Sequence, residues 1–321
     1  MIFRRGSLKS AVIGLAVIGA SFLGFTGCGG EFEQKSELKK YRVLGIRADR
    51  PEPEADARVT LRVVDFVPES VGQKIAFAQP PTYAWRACLL PLGSQAAFAC
   101  ADPRFEVPLS STGPEAVLDL GPGGLDLSRL LAATELAGQR LPDLVPIQLT
   151  VLSGHESIGT VETVKLLYVR HSATDDERAA NTNPTLLGLT VAGELGCDED
   201  LVVEDCLLAA PAGSRLSLEL TLAPGAAEAC HADDLEAGRC PEGTGVEDLL
   251  VSWYSNVGEL ESAVTLVSDD TSSNVIGLPT RVPDGYAKDE PVLVRIYAVV
   301  RDGRGGLDYL HAEFTMTPSL L

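Results

Sequence analysis

Positive charge is scarce in this chain of 321 residues: 26 Lys and Arg stand against 45 Asp and Glu, a formal charge of −19. Binding to a phosphate backbone needs clustered Lys and Arg to displace counterions, so nucleic-acid recognition is excluded as a function class. Histidine is limited to four residues and tryptophan to two. His155, His171, His231 and His311 are scattered, and none shares a motif with a nucleophile. The sequence holds no GxSxG elbow, no HExxH and no phosphate-binding glycine loop. With nine Phe, seven Tyr and two Trp, it also lacks the aromatic clusters on which sugars stack. It has no CxxC, and no apolar run reaches the ~18 residues that a membrane-spanning helix requires.

The N-terminal segment has a three-part layout. Arg4, Arg5 and Lys9 come first without an acid, Ala11 to Phe25 follow without a charge, and Thr26 and Gly27 precede Cys28. This is the pattern of a bacterial export signal, and Arg4-Arg5 also resembles a twin-arginine signal. Phe25-Thr26-Gly27-Cys28 resembles the lipobox of bacterial envelope lipoproteins, with Phe25 where that family prefers Leu. The resemblance implies a signal peptide over residues 1–27 and a mature protein beginning at a diacylated Cys28. It also implies attachment to a membrane through lipid without crossing it, since two chains suffice for stable anchoring. Gly29 and Gly30 follow where an Asp would mark inner-membrane retention, so the expected location is the outer membrane of the cell envelope. Residues 28–40 then read as a polar, mobile tether that buries little.

With Cys28 set aside for lipid, the remaining cysteines fall into three close pairs: Cys88 and Cys100, Cys197 and Cys206, Cys230 and Cys240. An exported, oxidising setting permits disulfides, and nearest-neighbour pairing is the expectation. The competing reading is a metal site built from Cys230, His231, Asp233, Asp234 and Cys240. It lacks CxxC spacing and a second nearby histidine.

Alternation of apolar and polar residues dominates the rest. Val59, Leu61 and Val63 alternate with Arg58, Thr60 and Arg62; Leu216, Leu218, Leu220 and Leu222 repeat the pattern, as do Ile147, Leu149 and Val151, and Val292, Val294, Ile296 and Ala298. Such period-two segments are half-buried strands with one wet face. One stretch departs from it. Asp126 to Gly138 places Leu127, Leu130, Leu131 and Thr134 on one helical face, with Asp126 as N-cap, and predicts a short helix across one end of a sandwich.

The strands form a series that occurs twice. Val43-Leu44-Gly45-Ile46 matches Leu186-Leu187-Gly188-Leu189, and Arg58-Val59-Thr60-Leu61 matches Arg215-Leu216-Ser217-Leu218. Tyr83-Ala84-Trp85 matches Val251-Ser252-Trp253, and the pair of strands from Val145 to Val169 matches that from Val292 to Met316. Both tryptophans fall at the same step. The plan resembles tandem immunoglobulin-like β-sandwich domains, whose third-strand Trp fills the core, without the usual disulfide between the sheets. The expected organisation is all-β: domain 1 over residues 41–170 with the short helix, a charged linker over 171–184, and domain 2 over 185–321.

Carboxylate pairs such as Asp198-Glu199-Asp200, Asp233-Asp234 and Asp269-Asp270 are too common here to mark acid/base chemistry. Arg301 to Asp308, RDGRGGLD, faintly resembles a calcium loop, but Arg304 puts positive charge at its centre and a glycine-rich hairpin turn accounts for it better. His155-Glu156 begins a zinc-helix signature that Gly159 breaks, and reads as a hairpin turn. His311 is expected on a solvent face. The functional expectation is a non-catalytic, lipid-anchored envelope protein for adhesion, scaffolding or assembly, with no cofactor and no catalytic residue. Its expected partners are the membrane and an envelope protein, with glycan second. The alternatives are an envelope hydrolase or metal-dependent enzyme on a β scaffold, and a small-ligand receptor using the cleft between domains.

Overall fold

Among the described residues, eight strands and one helix build the first half of the fold. In one sheet β1 (Arg42–Ala48), β2 (Arg58–Phe66), β6 (Glu115–Asp119) and β5 (Ser110–Thr112) lie side by side. In the other the order is β4 (Val107–Pro108), β3 (Thr82–Leu89), β7 (Leu144–His155) and β8 (Gly159–Arg170). The structure is a computed structural model that describes residues 36–68, 80–90, 100, 106–136, 144–155, 159–170, 179–192, 209–230 and 245–318. Cys28, Cys197, Cys206, His171, His231 and Cys240 lie outside the described residues, as do residues 1–35.

The two sheets face each other across one apolar core. Val59, Leu61 and Leu118 come from one side, and Trp85, Ile147 and Leu149 from the other, each 2% exposed or less. The helix α1 (Leu127–Leu136) joins β6 to β7 and buries Leu127, Leu130 and Leu131 in that core. Asp126 starts it, its carbonyl accepting from the amides of Arg129 and Leu130.

The second half repeats the plan. One sheet runs β13 (Glu259–Leu260), β15 (Thr271–Gly277), β11 (Arg215–Leu222), β9 (Leu186–Ala192); the other runs β10 (Ala209–Pro211), β17 (Leu307–Thr317), β16 (Val292–Arg301), β12 (Leu250–Ser255), β14 (Val264–Leu266). The paired sequence segments occupy equivalent strands: β1 and β9 edge their sheets, β2 and β11 follow, and β3 and β12 carry Trp85 and Trp253, both buried. The fold is therefore all-β, two immunoglobulin-like sandwiches with one short helix.

The wet faces expected from alternation are not all wet. Along β2 burial alternates through Arg62, after which Val63, Val64 and Phe66 are all buried; β16 is buried without a break from Ile296 to Val300. The cause is a third apolar cluster in which Leu44, Val64 and Phe66 of the first sandwich pack on Tyr297, Val299 and Leu307 of the second. Each such side chain removed from water stabilises the junction by roughly 1.5–3 kcal/mol.

The end of the expected tether also buries. Leu38 is 1% exposed. Its amide donates to the carbonyl of Ser255 at 2.8 Å, while the Ser255 amide donates to the carbonyl of Ser36 at 2.9 Å. The chain thus adds to the edge of β12 before entering β1, because an apolar Leu38 among polar neighbours finds cover in the third cluster.

Candidate functional site

The residues with the most chemistry converge on the turn between β16 and β17. Asp302 shapes it: Oδ1 accepts from the amides of Arg304 and Gly306, each at 2.8 Å, and Oδ2 accepts from Asn181 Nδ2 at 2.9 Å. A side chain at Gly306 would meet Asp302 Oδ2 at 2.0 Å, so the turn closes only around glycine. This is the predicted hairpin turn, but it is not a solvent loop: Asp302 and Arg304 are 1% and 2% exposed.

Arg304, which counted against calcium, has two carboxylate partners. Nε donates to Glu247 Oε2 at 2.8 Å and Nη2 to Glu228 Oε2 at 2.5 Å. Glu247 also accepts the amide of Glu228 at 2.9 Å. Burial pushes its carboxyl up to about 7, against the pull of that amide and of the guanidinium. These glutamates flank the stem of the cysteine hairpin, where the Cys230 amide donates to Gly245. Cys230 is disulfide-bonded.

The same turn reaches into the first sandwich. Lys165 Nζ on β8 donates to the carbonyl of Gly305 at 2.5 Å, and Asn183 Nδ2 donates to the carbonyl of Ala48 at 2.7 Å while its Oδ1 accepts the Leu307 amide. Residues 181–183, read as linker, are pinned at the junction; 171–178 lie outside the described residues. Arg301 Nη1 donates to Ser252 Oγ at 2.9 Å and Nη2 to the carbonyl of Leu44. Between the edges of β1 and β8 and this turn lies a cavity of about 380 Å³.

A second polar cluster sits where β2 ends and β3 begins. Asp65 Oδ2 accepts from both Tyr41, at 3.0 Å, and Tyr83, at 2.6 Å. Burial raises the carboxyl of Asp65 and holds both phenols above their usual range. His155, at the end of β7, is 5% exposed and stacks on Tyr41 with centroids 5.2 Å apart. It leads into a hairpin as predicted, but it faces inward. His311 is exposed and stacks on Tyr297.

Cys88 and Cys100 are joined, with Cα atoms 5.7 Å apart, beside a polar cavity of about 230 Å³ where Arg86 pairs with Glu106 at 2.6 Å. No group of three or more His, Cys, Asp or Glu able to hold a metal ion is found among the described residues, and no described helix is long and apolar enough to cross a membrane. The metal-site candidates from His231 to Cys240 lie outside them. Sequence reasoning missed Lys165, Arg301, Glu228 and Glu247. One available signal was the unbroken apolar run from Ile296 to Val300, too long for a strand with a wet face.

No family model matches the chain, and no curated protein matches it. Among solved structures, the chain is similar to the D0-D1 domain of intimin, at 9% identity over 85% of this chain and 98% of that one, with a TM-score of 0.22. The Ig1-2 module of the Drosophila receptor protein tyrosine phosphatase DLAR gives 8% identity over 88% and 100%, at a TM-score of 0.20. A red sea bream transglutaminase gives 9% over 88% of this chain and 32% of that one, at 0.25. At these scores the overlaps carry no weight; the immunoglobulin-like assignment rests on strand order and the two core tryptophans.

Proposed function

We propose that the chain is a non-catalytic, lipid-anchored protein of the bacterial cell envelope, placed on the outer membrane through Cys28 and acting in adhesion, scaffolding or assembly with a protein partner. The observation that carries the partner reading is the edge of the second sandwich. Among the described residues β14 has a strand neighbour on one side only. Val264 and Leu266 on it are 53% and 57% exposed, and Leu250, paired with Leu266, is 42% exposed. The Leu266 carbonyl accepts from Ser272 Oγ at 3.1 Å, and the rest of this edge, flanked by apolar side chains, suits addition of an extended segment from another protein. Arg304, Glu228 and Glu247 bond to one another and hold the turn in place, which supports a structural role for them. The Phe25-Thr26-Gly27-Cys28 context supports the anchor.

Two measurements test this. Intact mass of the mature chain should show an N-terminus at Cys28 carrying diacylglycerol, and Cys28→Ala should move the protein out of the membrane fraction. A photo-crosslinker at position 264 should capture one envelope protein, and the same probe at Val117 should not. An unacylated mature form starting elsewhere overturns the anchor; equal capture at both positions overturns the docking edge.

A further inference from the structure

Arg301 differs from five other described arginines that are partly or fully buried. Arg47, Arg86, Arg170, Arg295 and Arg304 each hold a carboxylate. Arg301 makes its hydrogen bonds to neutral acceptors, the Ser252 hydroxyl and the Leu44 carbonyl. Close by, near enough for the two charges to repel, is Lys165, whose ammonium donates to the carbonyl of Gly305.

Both cations line the cavity of about 380 Å³ between β1, β8 and the 302–306 turn, and no Asp or Glu lines it. Asp302 lies behind the turn, where its charge attracts Lys165 while its oxygens accept from the amides of Arg304 and Gly306 and from Asn181. Apart from Thr163, the rest of the wall is apolar or glycine, including Val43, Ile46, Val164 and Leu307. Asp302 attracts Lys165 more strongly than Arg301 repels it, so the cation left without a carboxylate in the empty site is Arg301, and an anion placed beside it supplies the missing partner. The volume lies within the range of small-molecule sites. A guanidinium presents a planar fork that matches a carboxylate, and apolar walls match a hydrocarbon body.

We propose that this cavity binds a small organic carboxylate with an apolar body, the carboxylate held between Lys165 and Arg301 and the body against Val43, Ile46, Val164 and Leu307. The site goes beyond the anchoring and docking reading and does not depend on it. Burial lowers the Lys165 ammonium to about 8, so the site loses half of its charge pair as pH rises from 7 to 9.

The test is calorimetric titration of the mature chain with 3-phenylpropionate, beside 3-phenylpropanol as its neutral counterpart and inorganic phosphate as a bare oxyanion. Saturable binding of the carboxylate at pH 7 is expected, with weaker binding of phosphate and none of the alcohol. Lys165→Gln and Arg301→Gln should each weaken it roughly tenfold, and a pH of 9 should weaken it by a similar factor, whereas Arg215→Gln on the far sheet should leave it unchanged. Because Arg301 also supports the Leu44 carbonyl, that variant counts only if its melting curve matches wild type; otherwise Lys165→Gln and the pH profile decide. No saturable binding, equal binding of the alcohol, tighter binding of phosphate, or unchanged affinity in a folded Lys165→Gln chain overturns the site. None of these results bears on where the protein is anchored.

Discussion

Replacing Arg304 by Met is the sharpest probe of what holds the 302–306 turn, from which Gly305 reaches Lys165 of the first sandwich. The Arg304 and Glu247 side chains are 2% and 1% exposed, against 24% for Glu228. Removing the cation leaves Glu247 buried with only the Glu228 amide to stabilise it, and breaking a buried pair from one side costs about 3–5 kcal/mol. Glu228, open to water, adds little. That is a large share of the ~5–15 kcal/mol by which a protein of this kind is stable. The loss should depend on pH. A carboxyl raised from 4.5 to about 7 in the folded state favours folding below pH 4.5, and that contribution is gone once pH passes 7. Without Arg304 the folded value rises further, so the variant should be strongly destabilised at pH 8 and much less so at pH 5. Urea unfolding followed by tryptophan fluorescence is the assay, since Trp85 and Trp253 report one core each. Glu247→Gln in the same chain should restore part of the loss at pH 8. A loss under about 1 kcal/mol at pH 8, or one that does not vary with pH, would refute the reading that Arg304, Glu247 and Glu228 together hold the turn.

Gly45 faces Leu307 so closely that a Cβ there would lie 2.6 Å from Leu307 Cδ1; Gly45→Ala should lower stability by about 1–3 kcal/mol, and Leu307→Ala added to it should cost less than the two separate losses together. The tryptophans form an internal control: Trp253 Nε1 donates to Thr265 Oγ1 at 2.7 Å, whereas Trp85 Nε1 has no hydrogen-bond partner. Trp253→Phe should therefore exceed Trp85→Phe by about 1 kcal/mol in urea unfolding; equal losses would remove the bond as the difference. Cys88→Ser with Cys100→Ser should lower the urea midpoint by the equivalent of about 2–3 kcal/mol, and an unchanged midpoint would show that the crosslink restrains little of the unfolded chain.

What the sequence made legible was local. Leu216 to Leu222 alternates with polar residues, and the strand it builds buries the leucines alone. The step at which each tryptophan falls located the third strand of both sandwiches, because a side chain of that size has to lie between sheets. The helix was visible in Leu127, Leu130 and Leu131 for the same reason. The junction was not legible. Lys165, Arg304 and Glu247 are distant in sequence, and each looks like an ordinary surface charge until packing removes water from it. Val64 and Phe66 carried a faint sign, since they interrupt the alternation of β2, but a broken pattern does not say what covers the second face.

The docking of Leu38 on Ser255 has a mechanical corollary. Strands β12, β16 and β17 are adjacent in one sheet, so the incoming N-terminal segment and the outgoing C-terminal strand are both bound to the second sandwich. Tension applied between the two ends runs from Leu38 through β12 and β16 into β17 and bypasses the first sandwich, although that sandwich lies between them in chain order. Only after Ser36 to Leu38 peel away does load reach β1, so stretching should strip this short fastener first and leave the rest of the body intact until then.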